Sequence, residues 1–161
     1  MLSQSARAAT AEEARYRVDY PNSAPRRIKI IALDRPAEAV VRRLARGVWN
    51  GASFMTLMRD AVAPDWLGSL AGDALNLLAE ISAADAVVTV STAGESPQDV
   101  SLIAEVCHSR RIMLTALVID PSALPDAQLL RTVAPLRPHA TMLVVAKGEE
   151  YVEAMLTAFR A

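Results

Sequence analysis

The residues best suited to hold a ligand follow three apolar runs of the sequence, where predicted strands give way to helices or turns. Hydroxyls and backbone N–H groups at a helix N-terminus bind small anions, whereas carboxylates suit a cation or an amine. We therefore predict a ligand-binding rim, with no catalytic residue assigned, that consists of Asp34, Arg35, Ser91, Thr92, Gly94, Glu95, Ser96 and Asp120.

The turn after the first apolar run contains no glycine. A dinucleotide or phosphate loop needs glycines there so that the backbone can approach the phosphates closely. Instead, Asp34 would repel a phosphate, and Pro36 has no backbone N–H to donate. The turn therefore predicts a helix that begins at Pro36 and disfavours phosphate binding, although Arg35 remains available to an anion.

The turn after the second apolar run contains one glycine, Gly94, and permits two interpretations. Ser96, Pro97 and Asp99 match the N-cap, first and third positions of a helix, which is close to a capping box. Alternatively, the hydroxyls that precede Gly94 and the backbone N–H groups that follow it bind a small anion at the helix N-terminus. The nearby carboxylates oppose the anion by repulsion, so the pattern favours the cap.

The same carboxylates also raise the question of a metal site. Asp34, Glu95 and Asp120 could converge around Mg²⁺, since hard cations take carboxylate oxygens, but carboxylates at strand ends commonly cap helices. His108 and His139 have no histidine or cysteine partner at metal-ligand spacing. We therefore expect no cofactor, with GTP or a divalent metal as disfavoured alternatives.

The composition of the 161 residues disfavours several classes of partner. A net charge of −1 and an aromatic content of 4% provide neither a field for nucleic acid or a membrane surface nor platforms for base stacking. No apolar run approaches the ~18 residues that span a bilayer, and Met1–Thr10 lacks the apolar core of a signal peptide. Cys107 is the single cysteine, which we expect to be buried, and a reducing cytoplasm is the predicted location.

Strands and helices alternate along the sequence from Ile28 onward. Short apolar runs predict strands, and apolar residues at i, i+3 and i+4 predict helices. The predicted order is strand 28–33, helix 36–48, strand 52–58, loop 60–64, helix 67–81, strand 86–91, helix 100–107, strand 112–119, helix 126–133, strand 141–146 and helix 151–159. This alternation predicts an α/β fold, a three-layer, doubly wound and mostly parallel sheet of about five strands. Residues 28–161 form one predicted domain, and residues 1–27 a mobile arm.

A family resemblance rests on the order of six segments, 28–33, 42–47, the strand that begins at Ala52, 83–94, 111–121 and 136–147. In this order they resemble the nucleotide-binding half of the tubulin/FtsZ GTPases, and the closest match leads through Gly94 into the position of that family's signature loop. The resemblance implies a Rossmann-like fold. The family's glycine-rich loops are replaced by Leu33–Pro36 and Glu95–Asp99, and the chain ends before the family's second domain. It therefore resembles a degenerate, truncated relative, from which no GTPase residue carries over.

Two functions are compatible with these predictions. The leading one is a non-catalytic, FtsZ-like domain that binds a protein partner or self-associates as a homo-oligomer. Trp49, Phe54 and Trp66 are candidate exposed contacts for it, with packing inside the fold as the alternative. The other function is a small-molecule-binding protein or enzyme that uses the crevice at the carboxyl ends of the strands, around the rim residues named above.

Overall fold

A mostly parallel sheet of seven strands forms the centre of the fold. The computed structural model describes residues 25–57, 66–70, 74–97, 99–159 and 161. The elements in chain order are β1 (Ile28–Ala32), α1 (Arg35–Leu44), β2 (Ala52–Leu57), β3 (Trp66–Ser69), β4 (Ala74–Asn76), α2 (Leu77–Ser82), β5 (Ala86–Thr92), α3 (Val100–Arg110), β6 (Met113–Ile119), α4 (Asp126–Leu136), β7 (Met142–Ala146) and α5 (Glu149–Ala158).

The strand order β4-β3-β2-β1-β5-β6-β7 places the topological switch point between β1 and β5. The chain leaves β1 towards β2 on one side, and it leaves β5 towards β6 on the other. Strands β2, β1, β5, β6 and β7 are parallel, whereas β3 and β4 pair antiparallel at one end. The predicted α/β class is confirmed, with seven strands in place of about five.

Helices cover both faces of the sheet, as the apolar runs predict. Helices α1 and α5 pack on one face, where Val41 and Leu156 join one cluster of buried side chains. Helices α2, α3 and α4 pack on the other, where Ile103 and Leu136 belong to a second cluster. Cys107 of α3 is buried in this second cluster, as expected, and burial raises the pKa of its thiol to about 11.

The prediction of a long helix over 67–81 is wrong. Leu67 pairs with Leu75 across the antiparallel β3–β4 hairpin, and β3 is joined to β2. Helix α2 begins only at Leu77, because the Asn76 side chain caps it by accepting a hydrogen bond from the N–H of Ala79. The apolar spacing fits a helix locally, but pairing with β2 satisfies the backbone as a strand. Trp66 accordingly begins β3 and does not lie in a loop.

The structure also corrects the end of the first helix. Val48, predicted on its apolar stripe, is 99% exposed, because α1 ends at Leu44 and a turn follows. Trp49 and Phe54, proposed as exposed contacts, are half-buried with ring centroids 5.9 Å apart. The Trp49 indole N–H also donates a 2.7 Å hydrogen bond to the carbonyl of Leu44. Packing inside the fold therefore accounts for both aromatic residues.

The remaining boundaries differ from the predictions by a few residues. Helix α4 extends to Leu136, beyond the predicted Val133, and β7 begins at Met142. Met58, the predicted loop over 60–64 and most of the predicted N-terminal arm lie outside the described residues.

Candidate functional site

Asp34 lies at the switch point, directly after β1, and only 4% of its surface is exposed. Its Oδ1 accepts a 2.8 Å hydrogen bond from the N–H of Ala37, which makes Asp34 the N-cap of α1. Its Oδ2 accepts a 2.7 Å hydrogen bond from the N–H of Thr92 at the end of β5. The Thr92 hydroxyl donates a further hydrogen bond, of 3.0 Å, to Oδ1. One carboxylate therefore joins the two turns that flank the switch point.

This carboxylate occupies the place that an anionic ligand takes in other open α/β sheets. Such ligands bind in the crevice at the switch point, against the N-terminus of the first helix. Here the N–H groups of Ala37 and Thr92 are already bonded to Asp34, and Pro36 has no N–H to offer. A phosphate at this point would meet a negative charge and donors that are already used.

The loop after β5 is held in place by Thr132, a fully buried residue of α4. Gly94, at φ +92°, donates its N–H to the Thr132 hydroxyl at 3.0 Å. The same hydroxyl donates to the carbonyl of Glu95 at 2.5 Å. Thr132 was not among the residues predicted from the sequence, although it stands as a lone hydroxyl beside Val133 on the apolar face of a predicted helix. A hydroxyl there needs a buried partner, and this loop provides one.

The predicted capping box at the start of α3 is wrong. The helix begins at Val100, and its N-cap is Asp99, whose side chain makes no capping hydrogen bond. Asp99 has φ +57°, in the left-handed region, so the chain turns there and Ser96 stands too early to cap the helix. Pro97 is buried before the helix, whereas Glu95 and Ser96 are exposed.

Ser91 does not share a surface with Thr92. Successive side chains of a strand point to opposite faces of the sheet, so Ser91 lies with Thr89 and Val87 on the face that α2 and α3 cover. The hydroxyls of Thr89 and Ser91 are buried and have no hydrogen-bond partner among the described residues. The predicted rim is therefore divided: Thr92 contacts Asp34, and Ser91 faces the other layer.

Asp120 has a local structural role after β6. It is 7% exposed, and its Oδ1 accepts a 3.0 Å hydrogen bond from the N–H of Leu124. Within the described parts of the chain, no three histidine, cysteine, aspartate or glutamate side chains are grouped to hold a metal ion. The magnesium site considered for Asp34, Glu95 and Asp120 is therefore not formed. Arg35 is exposed at the start of α1.

A groove of about 510 Å³ opens beside the switch point, between α1 and the start of α5. Its apolar lining includes Pro36 and Ile119, and its polar lining includes Thr92 and the carboxylates of Glu149 and Glu150. Both glutamates lie in the first turn of α5. The N-terminus of this helix therefore carries its own negative charges, as α1 does through Asp34.

Arg43 of α1 binds Glu149 across this groove. Its Nε donates to both carboxylate oxygens of Glu149, at 3.0 and 3.1 Å. The hydrogen bonds from Arg43 hold the pKa of Glu149 below its ordinary value. The arginine that lines the groove is thus bound to a carboxylate within the chain.

Comparison with known proteins leaves these residues as the basis for a functional assignment. Neither the models of known protein families nor the curated proteins match the sequence. Among the described residues, none of the helices has the length and apolar character needed to cross a bilayer.

Proposed function

We propose that this chain is a non-catalytic, degenerate FtsZ-like α/β domain that acts by binding a protein, either a second copy or another partner. The hydrogen bonds of Asp34 carry the proposal. Its carboxylate bonds the N–H groups of Ala37 and Thr92, which are the donors that a nucleotide phosphate would need. A fold of this class without that site retains its surfaces as its means of action.

The charges around the switch point support the same function. Asp34 is joined there by Glu149 and Glu150 at the start of α5, and Arg43 is bound to Glu149. A phosphate would have to displace a buried, hydrogen-bonded carboxylate and would then face two more. Nucleotide binding is therefore disfavoured by charge as well as by the engagement of the Ala37 and Thr92 N–H groups with Asp34. The buried Cys107 is compatible with a reducing cytoplasm, where we expect the protein to act.

A thermal unfolding series with GTP and Mg²⁺ tests this proposal. A ligand at ~100 times its dissociation constant would add ~2.7 kcal/mol to the free energy of unfolding, and ~1 kcal/mol raises the midpoint of a domain of this size by ~2–4 °C. We expect no rise of that size with GTP, GDP or inorganic phosphate. A rise with GTP that exceeds the rise with phosphate would overturn the proposal.

The groove of about 510 Å³ favours a second candidate function, the binding of a small organic cation. Its volume is typical of ligand sites, and it combines apolar walls with the carboxylate of Glu150. Aliphatic amines of increasing length should then stabilise the protein. Glu150→Gln should remove the effect, whereas Glu153→Gln, on the same helix but outside the groove lining, should keep it. A series without any stabilisation would exclude this function.

A further inference from the structure

Strand β7 is the last strand on its side of the described sheet, and one of its edges faces away from β6. The N–H of Asp120, after β6, donates to the carbonyl of Ala146, and Thr115 is in register with Met142. Because backbone groups alternate sides along a strand, the N–H and carbonyl groups of Leu143 and Val145 point outward. Such a row of groups is a template for pairing with another strand.

The side chains of β7 are apolar, and two of them are exposed, as is Tyr151 beyond the strand. Met142 is 37% exposed, Val145 41% and Tyr151, in the first turns of α5, 54%. The sequence Met142–Ala146 contains neither the charged residue nor the proline that commonly protects an edge strand. A groove of about 480 Å³, lined in part by Val145 and Tyr151, lies at the carboxyl end of the strand.

We propose that a second copy of this chain pairs with the β7 edge, antiparallel and about a two-fold axis, so that one sheet continues through both copies. This inference rests on the proposed function and names its partner. In an antiparallel pairing centred on Val144, Met142 of the second copy lies opposite Ala146 and reaches the groove beside Tyr151. Each copy then places its Met142 side chain in the groove of the other copy.

The charges at the two ends of β7 favour an antiparallel over a parallel orientation of the second copy. Arg137 and His139 precede the strand, and Lys147 and Glu150 follow it. An antiparallel pairing brings Arg137 of one copy towards Glu150 of the other, twice in each dimer, whereas a parallel pairing would bring like charges together. The net charge of −1 opposes association of two copies very little.

A five-residue strand alone is smaller than a stable interface of ~1,600 Å² requires. The flanking helices therefore have to contribute on both faces. Tyr151 of α5, which is 54% exposed and lines the groove at the end of the strand, is a large apolar side chain available for this contact. In interfaces that extend a sheet, main-chain hydrogen bonds give affinity, and pockets for alternate side chains give specificity.

Sedimentation equilibrium of the full chain and two matched variants tests the inference. Val145→Lys places a charge on the β7 edge, and Val48→Lys places the same charge on an exposed turn that precedes β2, a strand separated from β7 by three others. We expect wild type and Val48→Lys to dimerise with equal dissociation constants and Val145→Lys to dimerise at least about tenfold more weakly. Circular dichroism and thermal unfolding at low concentration establish that each variant is folded.

Two further measurements examine the pairing itself. The amides of Leu143 and Val145 should exchange with solvent more slowly as the wild-type concentration rises, and Val145→Lys should remove this dependence. Arg137→Glu should weaken the dimer by about threefold, since two exposed ion pairs are lost. The added substitution Glu150→Arg should restore it, as only an antiparallel contact between these positions predicts.

The outcomes separate this inference from the proposed function. A wild-type dimer that Val145→Lys leaves unchanged places the interface elsewhere and overturns the inference, but the proposed function stands. A chain that stays monomeric, or whose Leu143 and Val145 amides are protected at every concentration alike, overturns it too. In these last cases the response to GTP decides the proposed function independently.

Discussion

At the switch point the backbone N–H groups of Ala37 and Thr92 are bonded to Asp34, whereas at the β7 edge the backbone groups of Leu143 and Val145 have no partner among the described residues. The two N–H groups bound by Asp34 are therefore not available to a ligand. Leu143 and Val145 turn equivalent groups outward beside exposed apolar side chains. A single internal carboxylate thus engages two backbone donors at the switch point, while the described part of the same sheet has an unpaired edge at β7.

Replacing Asp34 by alanine should have the largest effect on stability, because it removes the carboxylate that joins the two turns at the switch point. Asp34→Ala leaves the N–H groups of Ala37 and Thr92 without an acceptor in a buried place. Each unsatisfied buried donor costs about 1–3 kcal/mol, so we expect a loss of about 3 kcal/mol in the free energy of unfolding. Urea denaturation measures it.

The control for this variant is Asp34→Asn, whose amide oxygen still accepts from one of the two N–H groups and should cost roughly half as much. A loss below about 1 kcal/mol for Asp34→Ala would show that the carboxylate does not hold the two turns together. If Asp34→Ala gained stabilisation by GTP that wild type lacks, the carboxylate itself would be the barrier to nucleotide.

The sequence predicted the turn at Asp34 better than the edge position of β7. The difference lies in how far apart in the sequence the interacting residues are. The turn around Asp34 lacks glycine and starts a helix, so its role as a cap is visible from adjacent residues. The bond from Asp34 to Thr92 joins positions 58 residues apart and follows only from the strand order. Strand order also decides that β7 is an edge, and no pattern within Met142–Ala146 reveals it.

The errors have the same physical origin. Apolar spacing over 67–81 fits a helix, but pairing of Leu67 and Leu75 in the hairpin overrides it. The left-handed turn at Asp99 displaces the start of α3 from the predicted cap at Ser96. The contact between Thr132 and the loop after β5 brings together residues from different βα units. The helix entry at Asp34 was predictable from local chemistry, whereas the left-handed turn at Asp99 and the long-range contacts were not.

Thr132→Val should have the next largest effect on stability. It tests whether the loop beside Asp34 depends on a second buried polar group. Valine keeps the shape of threonine but cannot accept the N–H of Gly94 or donate to the carbonyl of Glu95. We expect a loss of about 2 kcal/mol, measured by urea denaturation. Thr132→Ser keeps the hydroxyl and should cost less, and equal losses would assign the effect to the missing methyl group or to packing.

The same substitution at Thr89 should change stability in the opposite direction. The Thr89 hydroxyl is buried without a partner among the described residues, whereas that of Thr132 is fully used. Thr89→Val removes a polar group whose burial is not compensated, so we expect a gain of about 1 kcal/mol. Comparing the two variants under identical conditions cancels effects of the reference state. A loss of stability in Thr89→Val would show that this hydroxyl does have a partner.

The smallest effect should come from the ion pair between Arg43 and Glu149, which joins α1 and α5 at the surface of the groove. The folded pKa of Glu149 is lowered from 4.5 by hydrogen bonds from Arg43. Its contribution is therefore fully present above the unfolded pKa and is lost as the pH falls through the folded pKa. The difference in free energy of unfolding between wild type and Glu149→Gln should be constant at neutral pH and decline below about pH 4.5.

The control is Glu153→Gln, which removes a carboxylate from the next turn of the same helix without breaking an ion pair of the described residues. Both members of the Arg43–Glu149 pair are substantially exposed, so solvent and salt screen it. We therefore expect high salt to reduce the pH-dependent difference, while the loss caused by Asp34→Ala, from a buried group, persists. If the surface pair proved as costly to remove as Asp34, closure of the switch point would depend on the two helices held together by charge, and a single carboxylate would no longer explain it.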